Sequence, residues 1–188
     1  MLLRANAGAL VALALSTTGG AAMERTLLVF GGPAFLNDWA EVATLQNLEY
    51  SEAVVLGVAA GRRWDLRNPR FRFSMEAQLA RYFGAQESWE VNLVPAMIHY
   101  VPRDGFGPLE SLGFGLGFSY ASEPPAVELA RGEETTQEKW YWTIEAAFES
   151  GNPDREYILR IHHRSTGAST IGSGRSTNAV VIGLRQSF

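Results

Sequence analysis

The chain has 188 residues, a net charge of −4 at pH 7 and no cysteine. This length fits a single domain, the mildly acidic balance disfavours general nucleic-acid binding, and the lack of cysteine excludes a disulfide framework. Beyond the N-terminal segment no run of about 18 apolar residues occurs, so a helical membrane protein is not expected.

Residues 1–22 have the pattern of a secretory signal peptide. One cation, Arg4, precedes an apolar stretch from Ala7 to Leu15, and small residues follow and end at Ala22. The alternative, a membrane anchor helix, would need about 20 apolar residues to cross a hydrocarbon core of about 30 Å. We therefore predict cleavage at or near Ala22, which leaves a domain of residues 23–188 with a net charge of −5 because Arg4 is removed.

The remaining chain divides into short stretches in which polar and apolar residues alternate. Stretches of about 9–11 residues of this kind are typical of transmembrane β-barrels, whose strands cross the bilayer at a tilt. The predicted strands are residues 26–34, 53–64, 71–83, 89–101, 112–120, 139–149, 155–165 and 178–188. The predicted fold is all-β, an eight-stranded antiparallel up-and-down transmembrane β-barrel; the alternative is a periplasmic sandwich or lipocalin-like barrel with its apolar face inward.

Such a barrel has a narrow interior that side chains fill. Four charged residues have the inward parity and are expected to pair with one another: Arg72, Glu76, Glu145 and Arg160. Both chain ends would lie on the periplasmic side, so the turns at 65–70, 102–110 and 150–154 face the periplasm. The longer connections at 35–50, 121–138 and 166–177, and the short one at 84–88, would then be external.

The seventh predicted strand carries a candidate nucleophile and a candidate base on its outward face. His163 and Ser165 continue the apolar face of this strand, whereas Arg160, His162 and Arg164 take the inward face. At the external end of the strand, both outward residues are expected to face lipid at the depth of the outer leaflet.

The segments His163-Arg164-Ser165-Thr166-Gly167 and Ser176-Thr177-Asn178-Ala179-Val180, with a final Phe188, carry a family resemblance. They resemble the C-terminal hairpin of the lipid A 3-O-deacylase family (PagL type), acyloxyacyl hydrolase-like barrels of the Gram-negative outer membrane. A weaker similarity covers residues 115–128. The resemblance implies a hydrolase in which Ser165 attacks an acyl ester of lipid A or lipopolysaccharide and His163 is its base.

One part of the family pattern is missing from this chain. The family's catalytic glutamate lies on the last strand or the turn before it, but no Asp or Glu occurs between Ile161 and Phe188. Asn178 is the candidate for the orienting group, because it has outward parity and the hairpin brings it across from the seventh strand. Arg164 and Arg175 flank the outer turn and are candidates for binding the phosphates of lipid A.

Other site classes find little support in the sequence. With three histidines and no cysteine, and with the adjacent His162 and His163 on opposite faces, we predict no metal site and no cofactor. Gly113, Gly115 and Gly117 share one strand face, where they favour close packing over phosphate binding. The alternative function is a non-catalytic structural or lipid-binding barrel that has lost the catalytic acid, and homodimerisation is left open.

Overall fold

Eight strands form one closed antiparallel barrel, in which each strand pairs with its sequence neighbours and β1 pairs with β8. The structure is a computed structural model that describes residues 23–44, 46–102, 106–129, 134–167, 170–174 and 176–188. The strands are β1 (Met23–Phe35), β2 (Tyr50–Asp65), β3 (Phe71–Gly84), β4 (Trp89–Tyr100), β5 (Leu109–Ala121), β6 (Glu138–Glu149), β7 (Arg155–Ser165) and β8 (Thr177–Ser187). All eight predicted strands are present, and the predicted fold class is confirmed. The predicted signal peptide lies outside the described residues.

Two short helices interrupt the connections and were not predicted. Helix α1 (Trp39–Thr44) lies between β1 and β2, and helix α2 (Ala126–Leu129) lies between β5 and β6. Within the described residues, no helix is long and apolar enough to cross a membrane.

The barrel has two distinct rims. Thr26 of β1 pairs with Ser187 of β8, so both described ends of the chain lie at one rim, which we call the terminal rim. The β2–β3, β4–β5 and β6–β7 connections also begin and end there. At the opposite rim, which we call the loop rim, the β1–β2, β3–β4, β5–β6 and β7–β8 connections begin and end.

Large apolar side chains cover the outer wall. Leu56, Leu93, Phe114 and Ile182 come from different strands, and each is more than half exposed. Aromatic pairs lie towards both rims: Phe71 contacts Tyr100 near the terminal rim, and Phe118 stacks on Trp140 near the loop rim. An apolar wall flanked by aromatic residues suits a bilayer and is the reverse of a lipocalin-like barrel, whose apolar side chains point inward.

The interior is filled by a continuous chain of alternating charges. Its members, in order of contact, are Glu76, Arg160, Glu145, Arg185, Glu156 and Arg63. The contacts are short, with Arg160 Nη1 lying 2.8 Å from Glu76 Oε1 and Arg185 Nη2 lying 2.6 Å from Glu145 Oε2. Because each buried charge has an opposite neighbour and charge-assisted hydrogen bonds, the desolvation cost of the interior is offset.

The predicted internal pairing is confirmed for three residues and wrong for the fourth. Glu76, Glu145 and Arg160 meet inside the barrel, but Arg72 pairs with Asp65 through a contact of 3.1 Å. Arg72 is the second residue of β3, near the terminal rim, and Asp65, the last residue of β2, is its register partner.

The glycine stripe on β5 permits close packing, as the sequence indicated. A Cβ on Gly117 would lie 1.9 Å from the carbonyl oxygen of Leu93, and a Cβ on Gly113 would lie 2.8 Å from His99 Nδ1. These positions therefore leave room for the neighbouring strand and for the buried His99 ring.

We expect the internal charge chain to dominate stability. Arg160→Met removes the partner of Glu76 and one partner of Glu145, which leaves charge buried without compensation and should lower the free energy of unfolding by about 3–5 kcal/mol. Arg72→Met is the matched control, because its ion pair with the exposed Asp65 should be worth less than about 1 kcal/mol. Urea unfolding in lipid vesicles, followed by tryptophan fluorescence, measures both; equal losses would contradict this account.

Candidate active site

His163, Ser165 and Asn178 lie together on the outer wall near the loop rim. Period-two alternation along β7 turns His163 and Ser165 outward, and the β7–β8 register places Asn178 directly opposite His163. On the other side of β7, Trp142 of β6 lies directly opposite His163. The three predicted catalytic residues are therefore neighbours, with His163 between Asn178 and Trp142.

Asn178 fixes which nitrogen of the neutral His163 ring carries the proton. The Asn178 side-chain amide donates to the backbone carbonyl of Asn37 at 2.7 Å, and its Oδ1 lies 2.5 Å from His163 Nδ1. Because the Asn37 carbonyl can only accept, the amide nitrogen must face it, and the amide oxygen faces the ring. An amide oxygen can also only accept, so His163 Nδ1 carries a proton and, in the neutral ring, Nε2 has a free lone pair.

The His163 ring is covered, contrary to the expectation that it faces lipid. Its ring stacks on Trp142 with centroids 4.0 Å apart, and Trp39 of α1 meets Trp142 edge-on at 5.6 Å. Only 3% of His163 is exposed. The outward parity was predicted correctly, but the β1–β2 connection folds back over the wall and shields the ring.

The sequence contained a signal for this cover that the strand analysis missed. Asp38 and Glu41 have the spacing of a capping box, and the backbone N–H of Asp38 donates to Glu41 Oε2 at 3.3 Å. The backbone N–H of Val42 donates to the Asp38 carbonyl at 3.1 Å, which starts the helix. The side chain of Val42 is then 1% exposed, so its burial helps to hold α1 against the barrel.

Ser165 is partly exposed, and its hydroxyl does not reach the imidazole. Among the described residues, no hydrogen bond joins Ser165 Oγ to His163. The two residues share a face at a Cα separation of about 6.5–7 Å, a gap that the two side chains can bridge if they lean together. Trp140 lies opposite Ser165 on β6, and its indole nitrogen donates to Thr170 Oγ1 at 2.8 Å. The loop after β7 therefore folds over Trp140, beside Ser165.

The prediction that Arg164 meets phosphates at the external surface is wrong. Arg164 is fully buried inside the barrel, where its Nε donates to Ser119 Oγ at 2.7 Å and its Nη2 donates to the Gln137 carbonyl at 2.8 Å. The reason is strand parity, since Arg164 shares its face with Arg160 and His162. The second predicted phosphate ligand, Arg175, lies outside the described residues.

His162 belongs to a separate polar cluster inside the barrel. Its Nε2 lies 2.6 Å from Glu90 Oε1, and its Nδ1 lies 3.2 Å from the Tyr141 hydroxyl. The inward orientation predicted for His162 is thus observed, and the sequence did not indicate Glu90 as its partner. The barrel wall separates this cluster from His163, so the side chains of the two adjacent histidines lie in different environments, one inside the barrel and one outside.

The comparisons with known proteins address the fold. No family model matches the chain, and no curated protein matches it. Among solved structures, the crystal structure of Neisserial surface protein A (NspA) matches with 12% sequence identity and a TM-score of 0.53, over 90% of this chain and 100% of that chain. At this identity the likeness supports the barrel fold alone and carries no information on the chemistry at His163.

We expect Trp39 to control access to the His163 ring. Trp39→Ala removes the indole that packs on Trp142 and should increase the rate at which diethylpyrocarbonate modifies His163. Trp89→Ala is the matched control, because Trp89 is a half-exposed residue at the loop rim that belongs to β4. Peptide mass spectrometry locates the modification; equal rates at His163 in both variants and the parent would contradict a shielding role.

Proposed function

We propose that the protein is an outer-membrane hydrolase that cleaves an acyl ester of lipid A or lipopolysaccharide. The proposal is carried by the hydrogen bond between His163 Nδ1 and Asn178 Oδ1, beside Ser165 on the outer wall. An orienting group that holds Nδ1 protonated leaves Nε2 free to act as a base, which is the arrangement that serine hydrolases use. The resemblance of the β7–β8 hairpin to lipid A 3-O-deacylases supplies the substrate class.

In the proposed mechanism, Ser165 Oγ attacks the ester carbonyl carbon while its proton passes to His163 Nε2. The tetrahedral intermediate collapses, the bond to the sugar oxygen breaks, and the leaving alcohol takes the proton from Nε2. Water then attacks the acyl-enzyme with His163 again as the base, which releases the fatty acid and restores Ser165. Asn178 keeps the ring in the required tautomer throughout.

A neutral amide is a weaker partner for this chemistry than a carboxylate. The Asn178 oxygen accepts the Nδ1 proton, but it carries no full charge to stabilise the imidazolium that forms in the transition state. Thr177 is the neighbouring position at which a carboxylate could replace the family's glutamate. Its side chain faces the interior, where its hydroxyl donates to Glu128 at 3.1 Å. Asn178 is thus the position on β8 from which a side chain reaches His163.

The location of the site suits a lipid substrate. If the terminal rim faces the periplasm, the loop rim lies in the outer leaflet, where lipid A resides. The surface beside Ser165 includes Trp140 and Trp142, whose rings can accommodate an acyl chain. Because His163 is covered, we propose that a bound acyl chain displaces Trp39 and uncovers Nε2.

The second candidate function is a non-catalytic barrel in which the same residues act as a structural clamp. Two observations favour it: Ser165 makes no hydrogen bond to His163, and His163 is only 3% exposed. In that case Asn178 joins the ring of His163 to the carbonyl of Asn37 and holds the β1–β2 connection against the wall.

We expect the protein to fractionate with the outer membrane of a Gram-negative bacterium, with residues 1–22 removed as a signal peptide. A closed barrel has no free strand edges, so the folded protein should resist detergent and migrate differently before and after heating. Membrane fractionation, electrophoresis and N-terminal sequencing measure this. Recovery as a soluble periplasmic protein would contradict the proposed location.

We expect Ser165→Ala and His163→Gln each to lower ester cleavage by roughly a thousandfold or more, with little further loss in the double variant, because members of one catalytic unit are non-additive. Ser122→Ala, in another loop at the same rim, is the matched control. The assay is fatty-acid release from lipopolysaccharide by mass spectrometry. A parent protein that releases no fatty acid, or a Ser165→Ala variant that retains full activity, would favour the second candidate function, a non-catalytic barrel.

We expect Asn178→Asp to raise kcat by roughly tenfold, because a carboxylate stabilises the imidazolium by more than an amide does. Asn178→Ala should lower kcat and leave KM similar, since the ring loses its orientation while the acyl-binding surface remains. The same assay on folded protein measures both, with heat-modifiable migration as the folding control. A higher or unchanged kcat for Asn178→Ala would exclude an orienting role.

A further inference from the structure

Two arginines face each other on the outer wall near the terminal rim. Arg25 of β1 is the register partner of Arg62 of β2, and both residues are exposed. The Cβ atoms of directly opposed residues on one sheet face lie about 4.5–5.5 Å apart, and like charges in that position destabilise the sheet. Such a pair is unfavourable on a membrane-facing wall unless an anion lies between the two guanidinium groups.

The described residues do not supply that anion. No ion pair joins Arg25 or Arg62 to any carboxylate of the described residues. The nearest acidic side chain along β1, Glu24, points inward and contacts Arg63 at 2.8 Å. Phe188 pairs with Arg25 only through the backbone, where its N–H donates to the Arg25 carbonyl at 3.0 Å. Within the described residues, the two guanidinium groups therefore have no side-chain carboxylate as a counter-ion.

An apolar groove of about 450 Å³ begins at Arg62 and runs along the outer wall away from the terminal rim. Small residues form part of its lining, namely Ala60, Gly61 and Ala77, together with Pro95 of β4. Ala60 and Ala77 are register partners on adjacent strands, so the wall has no large side chain between them. The volume lies within the range of about 300–1,000 Å³ that ligand sites occupy.

Two strand irregularities produce the groove. The β3–β4 register shifts between Ser74 and Glu76, and the β4–β5 register shifts between Leu93 and Ala96. Pro95 lies within the second shift, where its missing N–H removes a ladder hydrogen bond and the strand bends. The groove is therefore a feature of the backbone and does not depend on a side-chain rotamer.

The charge of the groove favours an anion at one end only. Glu76 also lines it, but its carboxylate contacts Arg160 Nη1 and Nη2 at 2.8 and 3.1 Å and is directed towards the interior. The end near Arg62 is thus positive, and the remainder is apolar. An amphiphile with an anionic head and an apolar tail matches this arrangement.

We infer that Arg25, Arg62 and the groove bind one anionic glycerophospholipid from the leaflet at the terminal rim. The two arginines bind the phosphate, for which their planar donors are suited, and one acyl chain lies along Ala60, Ala77 and Pro95. Arg62 is three residues from the end of β2 at Asp65, which is about 10 Å along the strand, and long arginine side chains extend further towards headgroups. The inference rests on membrane insertion and is independent of hydrolysis at His163.

Native mass spectrometry of the intact protein tests the site. The protein is released from nanodiscs that contain phosphatidylglycerol or phosphatidylcholine with identical acyl chains, and bound lipid is counted. We expect one retained phosphatidylglycerol and little phosphatidylcholine. Arg25→Gln with Arg62→Gln should weaken phosphatidylglycerol retention by about tenfold, as expected for the loss of one charge-assisted hydrogen bond or more. Arg81→Gln is the control, because Arg81 lies near the loop rim and contacts Glu87 at 3.6 Å.

The groove is tested separately from the arginines. Ala60→Phe with Ala77→Phe fills it and should reduce lipid retention while Arg25 and Arg62 remain. Ala146→Phe, which adds one ring to the outward face of β6, is the control for added bulk elsewhere on the wall. Heat-modifiable migration confirms that each variant is folded. Equal retention of both lipids, or retention unchanged by the glutamine variant, would overturn the headgroup assignment. If filling the groove leaves lipid retention unchanged, the acyl chain does not lie in the groove. Dimers without bound lipid would show that a second copy of the protein, and not a lipid, covers this wall.

Discussion

The buried chain of alternating charges is the constraint on which the rest of the barrel depends. Arg160 and Glu145 are fully buried, and each can remain charged there only because opposite charges contact it from other strands. Glu76, Glu145 and Arg185 belong to β3, β6 and β8, so one network joins strands that are distant in sequence. A shift of any of these strands by one residue would turn its charge towards lipid. The network therefore fixes register as well as filling space.

Strand register in turn fixes which residues can meet at the outer wall. His163 and Asn178 are opposite each other because Arg160 is opposite Val181 three residues earlier on β7. The internal charges and the external histidine are thus coupled through the backbone without any contact between them. This coupling explains how polar residues can form a site on a surface that is otherwise apolar.

Period-two alternation explains most of what could be predicted from the sequence. It placed the eight strands, the outward His163, Ser165 and Asn178, and the inward His162. The same rule also placed Arg164 on the inward face, but its position beside the turn and the lipid A resemblance led to its prediction as a phosphate ligand, which disregarded that parity. Residues next to a turn still follow strand parity when the strand extends past them, as β7 does to Ser165.

The cover over His163 could not be derived from alternation, because it depends on a contact between loop and wall. The capping residues Asp38 and Glu41 indicate a helix, but they do not indicate where that helix packs. Its position depends on the hydrogen bond from Asn178 to the Asn37 carbonyl and on the packing of Trp39 against Trp142. These contacts join residues more than a hundred positions apart, and only the closed barrel brings them together.

Asn178 has two roles in this arrangement, and they compete. Its amide nitrogen holds the β1–β2 connection, and its oxygen holds the His163 ring. A carboxylate at this position would be a better partner for an imidazolium, but it could not donate to the Asn37 carbonyl and would place two oxygen atoms in contact there. A neutral amide is the side chain that satisfies both neighbours at once. Asparagine at position 178 therefore holds the connection against the wall and orients the His163 ring without placing a charged partner beside it.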